Sequence, residues 1–133
     1  MSYLMDTHVL LWFLMSTEKL SDRALEVLTD AHTDVYVSTV SFWELSLKHA
    51  LGKLSIEGFE LDDLEEIVCE AGVGIIGLNE RESSSFHRLP LHAAHRDPFD
   101  RMLIWQAIKR DMGLLSNDQH FALYRSYGLR LVW

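Results

Sequence analysis

The sequence predicts an α/β fold in which helices cover both faces of a central, mostly parallel sheet. Short apolar or β-branched runs alternate with helical patterns along the whole chain, which is typical of parallel β-α-β units. The 133 residues suit one compact domain, and no repeat, linker or low-complexity stretch divides them. We therefore expect a single domain over residues 1–133, built as a three-layer α/β/α sandwich.

Five segments have the composition of strands. Residues 3–5 are a short apolar run that ends at Asp6, and residues 35–37 are β-branched and aromatic. The five predicted strands are residues 3–5, 35–37, 74–78, 114–116 and 129–132. In an open parallel sheet, ligands bind beyond the carboxyl ends of the strands, so the residues that follow the strands are the ones to search for chemistry.

Helical patterns fill the intervals between these strands. Ser21 and Ser41 stand where N-caps are expected, and Gly52 stands where a helix that starts at Ser41 would end. Pro98 occupies the first turn of the strongest helical pattern. The predicted helices are residues 8–14, 22–28, 41–51, 60–71, 80–87 and 98–109, followed by a helical turn at 118–124.

Composition restricts the compartment and the partners. The only cysteine is Cys69, which cannot form an internal disulfide, so we expect a reducing, cytoplasmic environment. The apolar run at 9–15 is too short to cross a bilayer, and Asp6 rather than a basic segment precedes it. A net charge of −8 argues against a general nucleic-acid binder, unless several carboxylates gather around cations. The same charge suits a basic protein partner.

Acidic residues stand at the strand ends and helix starts that a parallel sheet would bring to one edge. They are Asp6, Glu44, Asp97, Asp100 and Asp118. Clustered carboxylates raise one another's pKa unless a cation neutralises them, and oxygen-only ligands suit Mg²⁺ or Mn²⁺. Such an ion supports the hydrolysis of a phosphodiester by an activated water.

These acids also have structural interpretations. Glu44 stands three residues after Ser41, as in a capping box, and the acids at positions 97, 100 and 118 can cap a helix or complement its dipole. Asp6 differs, because a carboxylate directly after a buried strand is costly unless it is paired or metal-bound. Together, at one predicted edge, the acids favour a functional site.

Four segments of the chain contain the acids in characteristic surroundings. The first is LMDTHVLLW at 4–12, and the second is SFWEL at 41–45, followed by Lys48 and the GKL of 52–54. The third is HRDPFDR at 95–101, and the fourth is LLSND at 114–118, followed by Phe121. In this order, the four segments resemble the motifs of PIN-domain ribonucleases of the VapC toxin type. The length also fits, so the resemblance covers essentially the whole chain.

The resemblance implies a metal-dependent endoribonuclease with Mg²⁺ or Mn²⁺ as its cofactor. Matched position by position, it implies a catalytic quartet of Asp6, Glu44, Asp100 and Asp118. Within that quartet, Asp6, Asp100 and Asp118 would hold the metal. Asp97 matches an accessory acid, while Thr7 and Ser116 match hydroxyl positions that orient a carboxylate or a water. Ser116 stands where the family usually has Thr.

The resemblance also implies an RNA substrate, a cognate antitoxin that blocks the site, and a homodimer. The apolar first helix, with Trp12 and Phe13, is a candidate for a dimer or antitoxin surface. The candidate RNA contacts are the basic residues that flank the acidic motifs, Lys48, Arg96 and Arg101. Ordinary solvated or salt-bridged side chains are the alternative for these three. We interpret the histidines at 87, 92 and 95 as surface or loop residues.

Three other classes of protein place an acid after a strand. A haloacid-dehalogenase-type phosphatase needs a second Asp two residues after the first, where this chain has His8. A response-regulator receiver needs a lysine after a late strand, and residues 116–118 provide none. A catalytically degenerate PIN domain that binds RNA or protein stays open, although the presence of all four acids argues against it.

Overall fold

Five strands form one sheet in the computed structural model, which describes residues 1–133. They are β1 (Ser2–Met5), β2 (Asp34–Ser38), β3 (Gly74–Ile76), β4 (Gly113–Leu115) and β5 (Arg130–Val132). Their order across the sheet is β3-β2-β1-β4-β5, and every neighbouring pair is parallel. The predicted α/β/α class is therefore confirmed, and the sheet is parallel throughout.

Six α-helices connect and cover the strands. They are α1 (Thr7–Met15), α2 (Asp22–Thr29), α3 (Thr39–Ala50), α4 (Leu64–Glu70), α5 (Glu80–Ser85) and α6 (Pro98–Lys109). Segments of 3₁₀-helix occupy Thr17–Lys19, Leu61–Asp63, Phe86–Arg88 and Gln119–Tyr127. None of the helices has the length and apolar character needed to cross a membrane.

The central strand β1 separates two hydrophobic clusters. Tyr3 and Met5 pack into a cluster with α1, α2 and α4, whereas Leu4 packs into one with α6 and the 3₁₀ segment Gln119–Tyr127. Successive side chains of a strand point to opposite faces, so a strand covered on both sides is apolar at every position. This explains why the first strand reads as an uninterrupted apolar run.

The helix after β2 begins earlier than predicted. Its N-cap is Ser38, the last residue of β2, whose hydroxyl accepts a hydrogen bond from the backbone N–H of Val40 at 3.1 Å. Ser41 therefore lies inside the helix and is buried, so the predicted capping box with Glu44 is wrong. β3 is also shorter than predicted and ends at Ile76 rather than residue 78.

Close approach of a tyrosine ring explains a glycine in β3. Gly74 pairs with Tyr36 of β2, and a methyl group on Gly74 would lie 2.6 Å from the ring carbon Cδ1. We expect Gly74→Ala to lower the free energy of unfolding by about 1–3 kcal/mol, because the ring must move out of its packed position. Gly77→Ala is the matched control, since a methyl group there meets nothing within 4 Å. Equal urea-unfolding curves for the two variants would contradict the steric explanation.

Candidate metal centre

Asp6 is fixed at the carboxyl end of the central strand. Its backbone N–H donates to the carbonyl of Leu115 in β4 at 3.0 Å, which continues the sheet by one residue. Its carboxylate oxygen Oδ1 accepts from the N–H of Val9 at 2.8 Å and so caps α1. The side chain is only 3% exposed. The fold therefore commits one oxygen of Asp6 to the helix and buries the carboxylate.

Glu44 projects from α3 towards the start of α1. The Thr7 hydroxyl donates to its Oε1 atom at 2.6 Å, and the Lys48 ammonium, one turn further along α3, pairs with Oε2. The Ser41 hydroxyl lies 2.9 Å from that of Thr7. Because the Thr7 proton is used on Glu44, Ser41 supplies the hydrogen between the two hydroxyls. Glu44 is thus held from two sides in a buried position.

Asp100 lies between two groups of potential ligand atoms. In each group, one ligand atom from each residue lies within 4.8 Å of the others. The first group is Glu44, Asp97 and Asp100, and the second is His95, Asp100 and Asp118. Asp97 also caps α6, because its Oδ1 accepts from the N–H of Asp100 at 2.9 Å. Asp6 belongs to neither group, although its charge acts on Asp100.

Ser116 connects the two outer acids, Asp6 and Asp118. Its hydroxyl oxygen accepts from the N–H of Asp118 at 3.1 Å. Burial raises the Asp6 pKa, and the same hydroxyl partly opposes this rise by stabilising the ionised Asp6 carboxylate. Asp118 in turn caps the 3₁₀ segment Gln119–Tyr127 by accepting from the N–H of His120 at 2.9 Å. An open cleft beside these acids is lined by His8, Trp12 and Asn117.

Burial and mutual repulsion raise the pKa of two of the acids. Burial is the largest cause for Asp100, followed by the charges of Asp97, Glu44, Asp6 and Asp118, and together they raise its pKa to about 8. Burial also raises the pKa of Asp6 to about 6, with a smaller contribution from Asp118. Both carboxyls resist ionisation because burial and neighbouring negative charges disfavour their charged forms.

One lysine partly compensates the negative charge of this cluster. Burial lowers the pKa of Lys48, but the hydrogen bond and charge of Glu44, with the charges of Asp97 and Asp100, overcome it and leave the pKa raised. The rest of the site is dominated by carboxylate oxygens. The residues present therefore fit a hard divalent cation such as Mg²⁺ or Mn²⁺.

The candidate RNA contacts lie in three different environments. Arg96 is exposed beside Asp97, and Lys48 is paired with Glu44. Arg101 is buried, with Nη2 donating to the carbonyls of Leu89 and Pro90 at 2.9 and 3.0 Å. The proposal of Arg101 as an RNA contact is therefore corrected, because its guanidinium anchors the segment before α6.

Sequence reasoning missed two buried residues behind Asp100. His95 lies in the loop before α6, which agrees with one of the two expectations, but at 6% exposure it is not a surface side chain. It faces Asp100 and Tyr124. Tyr124 is fully buried. Phe121 and Tyr124 are three residues apart on the 3₁₀ segment, and that spacing was the available signal for Tyr124. For His95, the only signal in the sequence was its position as the first residue of the third motif.

The PIN domain family model matches residues 3–126 of the chain. Solved structures share the fold at low sequence identity. VapBC2 from Rickettsia felis, bound to a promoter DNA fragment, is similar with a TM-score of 0.68 at 14% identity, over 98% of this chain and 97% of that chain. FitAcB from Neisseria gonorrhoeae is similar with a TM-score of 0.61 at 19% identity, over 97% of this chain and 95% of that chain.

A third similar structure is VapBC-5 from Mycobacterium tuberculosis, a member of the VapBC family of toxin–antitoxin systems. It has a TM-score of 0.58 at 15% identity, over 98% of this chain and 94% of that chain. No curated protein sequence matches the chain. At these identities the solved structures establish the fold, whereas the family model establishes the family.

Asp100 gives the metal-free protein a defined pH dependence. Its pKa is about 8 in the folded state against an ordinary 3.8, so folding takes up a proton between these values. Its contribution to stability is therefore present below about pH 4 and is lost as the pH rises through about 8. Asp100→Asn removes the charge, and we expect it to raise the free energy of unfolding at about pH 8.5 by about 1–3 kcal/mol.

Urea unfolding in EDTA at about pH 5 and about pH 8.5 measures this effect. Asp62→Asn, at an exposed carboxylate outside the cluster, is the control and should leave the free energy of unfolding unchanged at both pH values. Divalent cation should stabilise the wild-type protein more than Asp100→Asn. If Asp100→Asn loses as much stability between the two pH values as the wild type does, the pH dependence does not come from Asp100.

Proposed function

The chain belongs to the PIN domain family, and from this premise we propose that it is a divalent-metal-dependent endoribonuclease that acts as the toxin of a toxin–antitoxin pair. The single observation that carries the proposal is the convergence of five carboxylates, contributed by four separate segments, at the carboxyl edge of the sheet. The set comprises Asp6, Glu44, Asp97, Asp100 and Asp118. Two of these have raised pKa values, which favours a site built for added positive charge.

Asp6, Asp100 and Asp118 are the residues that would hold Mg²⁺ or Mn²⁺, with Asp97 beside Asp100 as an accessory acid. When bound, the ion supplies Lewis-acid stabilisation of phosphate charge and lowers the pKa of a water. Glu44 is paired with Lys48 and fixed by Thr7, so it can accept a hydrogen bond from a water molecule without changing its own position. The Ser116 hydroxyl stabilises the Asp6 carboxylate by a hydrogen bond, as Thr7 does for Glu44.

Binding of RNA would rely on few side-chain cations. Arg96 is exposed next to Asp97 and is the candidate phosphate contact, whereas Lys48 is already paired with Glu44. The open cleft beside Asp118 presents the Trp12 ring and the Asn117 amide, groups that can stack on or hydrogen-bond to an unpaired base. With a net charge of −8, affinity would depend on the metal ion.

An antitoxin partner is supported by the family of one similar structure and by charge. VapBC-5 belongs to a toxin–antitoxin family, and Lys48 is the one lysine or arginine that forms an ion pair with the carboxylate cluster here. A basic side chain from a bound inhibitor would neutralise the same carboxylates as the metal. We propose that the cognate antitoxin blocks the site in this way.

A homodimer is supported by a stripe of exposed apolar side chains that runs along α3 to its C-cap, Leu51. Trp43, Leu47 and Leu51 recur every four residues and are 62%, 39% and 59% exposed. Trp43 contacts the Phe99 ring edge-on at 5.0 Å, beside a small apolar pocket that includes Leu78. This stripe is a better candidate for self-association than Trp12, which is half-buried and packs against Trp133.

The nuclease proposal predicts metal-dependent cleavage that one side chain abolishes. We expect purified protein to cut a mixed cellular RNA pool with Mg²⁺ or Mn²⁺ and not with EDTA. Asp6→Asn should reduce the rate by at least about 100-fold, because it removes a charged ligand while keeping the cap of α1. Gel analysis of the RNA measures the rate, and circular dichroism checks that the variant is folded.

Asp62→Asn is the matched control and should cleave like the wild type. Unchanged cleavage by Asp6→Asn would eliminate the metal-site assignment. Failure of the folded wild type to cut any RNA in the pool, together with retained RNA or protein binding, would favour the degenerate PIN domain instead.

The dimer proposal predicts a specific effect of Trp43. We expect Trp43→Ser to raise the dimer dissociation constant by at least about 30-fold, since truncating a central aromatic residue costs about 2 kcal/mol or more. Sedimentation equilibrium over a range of concentrations measures the constant. Leu91→Ser, at an 85% exposed leucine far from α3 in sequence, should leave it unchanged. A wild-type protein that stays monomeric over the whole range of concentrations would refute the dimer proposal.

A further inference from the structure

A line of three buried side chains lies behind Asp100. Arg101 Nε lies 3.4 Å from the Tyr124 hydroxyl oxygen, and that oxygen lies 2.9 Å from Nδ1 of His95. The other ring nitrogen of His95, Nε2, lies 3.4 Å from Oδ2 of Asp100. The three side chains are 5%, 0% and 6% exposed, so water does not compete freely for these hydrogen bonds. They form a continuous connection from the segment before α6 to the carboxylate cluster.

The direction of each hydrogen bond follows from the donors available. An arginine Nε–H can only donate, so the Tyr124 oxygen accepts from Arg101. The Tyr124 hydroxyl hydrogen then has one acceptor among its hydrogen-bond partners, Nδ1 of His95. Leaving that hydrogen unpaired in a fully buried position would cost its desolvation penalty. Nδ1 of the neutral imidazole therefore carries the lone pair, and Nε2 carries the hydrogen.

Two roles for His95 are compatible with its position alone. Its nearest ring nitrogen lies within 4.8 Å of the carboxylate oxygens of Asp100 and Asp118, which is an arrangement that could hold a metal ion. A metal ligand, however, must present a lone pair, and the Tyr124 hydrogen bond leaves a hydrogen on Nε2. The same hydrogen is directed at Oδ2 of Asp100.

We propose that His95 is a positioning residue, which donates a hydrogen bond from Nε2 to the Asp100 carboxylate and does not itself bind the metal. This inference rests on the proposed function for the identity of the site. Arg101, held by the carbonyls of Leu89 and Pro90, fixes Tyr124, and Tyr124 fixes the tautomer of His95. The buried arginine of the third motif thus acts on Asp100 through two intermediates.

The tautomer can be read directly in metal-free protein. Long-range ¹H–¹⁵N correlation spectra at about pH 8 distinguish protonated from unprotonated ring nitrogens, and His95→Gln identifies the His95 signals. We expect hydrogen on Nε2 and a lone pair on Nδ1. Tyr124→Phe should yield a mixture of tautomers, while Tyr127→Phe, which alters a neighbouring ring without this hydrogen bond, should not. A wild-type protein with hydrogen on Nδ1 would overturn the proposal.

Binding of Mn²⁺ tests the second half of the proposal. Electron spin-echo spectra of the Mn²⁺ complex should show no directly bound imidazole nitrogen. His95→Gln, whose amide can donate from the same place, should bind Mn²⁺ within about threefold of wild type. His95→Ala should bind about 10–100-fold more weakly, the range found for residues that orient metal ligands. A strong nitrogen coupling in wild type that His95→Gln abolishes would overturn the positioning role.

These measurements also separate the inference from the proposed function. The tautomer is observed without metal or RNA, so an inactive protein can still confirm or refute the hydrogen-bond direction. Absence of Mn²⁺ binding by the wild type would overturn the metal centre and the His95 function that depends on it. Nuclease activity with hydrogen on Nδ1 of His95 would retain the proposed function and reject only the positioning role.

Discussion

Repulsion between carboxylates at one edge of the sheet is the constraint on which the rest of this structure depends. Asp6 and Asp100 are largely removed from water and lie close enough to other acids to resist ionisation. Buried like charges are tolerated only where hydrogen bonds, dipoles or counter-charges offset the desolvation. Many of the polar contacts around this edge can be understood as such an offset, whether from Thr7, Lys48 or the helix ends.

The parallel sheet both creates this problem and limits it. With β1 at the centre and β4 beside it, residues after two strands must meet at the same edge, as Asp6 and Asp118 do. The helices that leave those strands begin there, so their unpaired N–H groups point at the same carboxylates. Asp6 and Asp118 each accept such an N–H, which stabilises the helical segment and the acid by one contact. An antiparallel arrangement would not bring these helix ends together.

The sequence revealed the strands, the main helices and the acids because each depends on local pattern or on chain direction. Asp6 could be placed at the edge since it follows an apolar run. Side-chain orientation was beyond that reasoning. Glu44 faces Thr7, 37 residues away, and His95 faces Tyr124, 29 residues away. The true cap of α3, Ser38, was hidden because a strand residue can also cap a helix when the two elements adjoin. The sequence places Arg101 among the candidate RNA contacts, because only tertiary contacts reveal its burial.

A site that is costly without positive charge is coupled thermodynamically to whatever supplies that charge. Any ligand that binds the folded state stabilises it according to its concentration and affinity, and a divalent ion among these acids does so by removing their repulsion. A basic side chain of a bound protein would act on the same carboxylates, so the two kinds of ligand would compete for one set of oxygens. Lys48 already shows the principle within the chain, because its ammonium pairs with Glu44 and is attracted by the charges of Asp97 and Asp100. The charge that makes the edge suitable for a metal would therefore also favour a basic side chain of a bound protein.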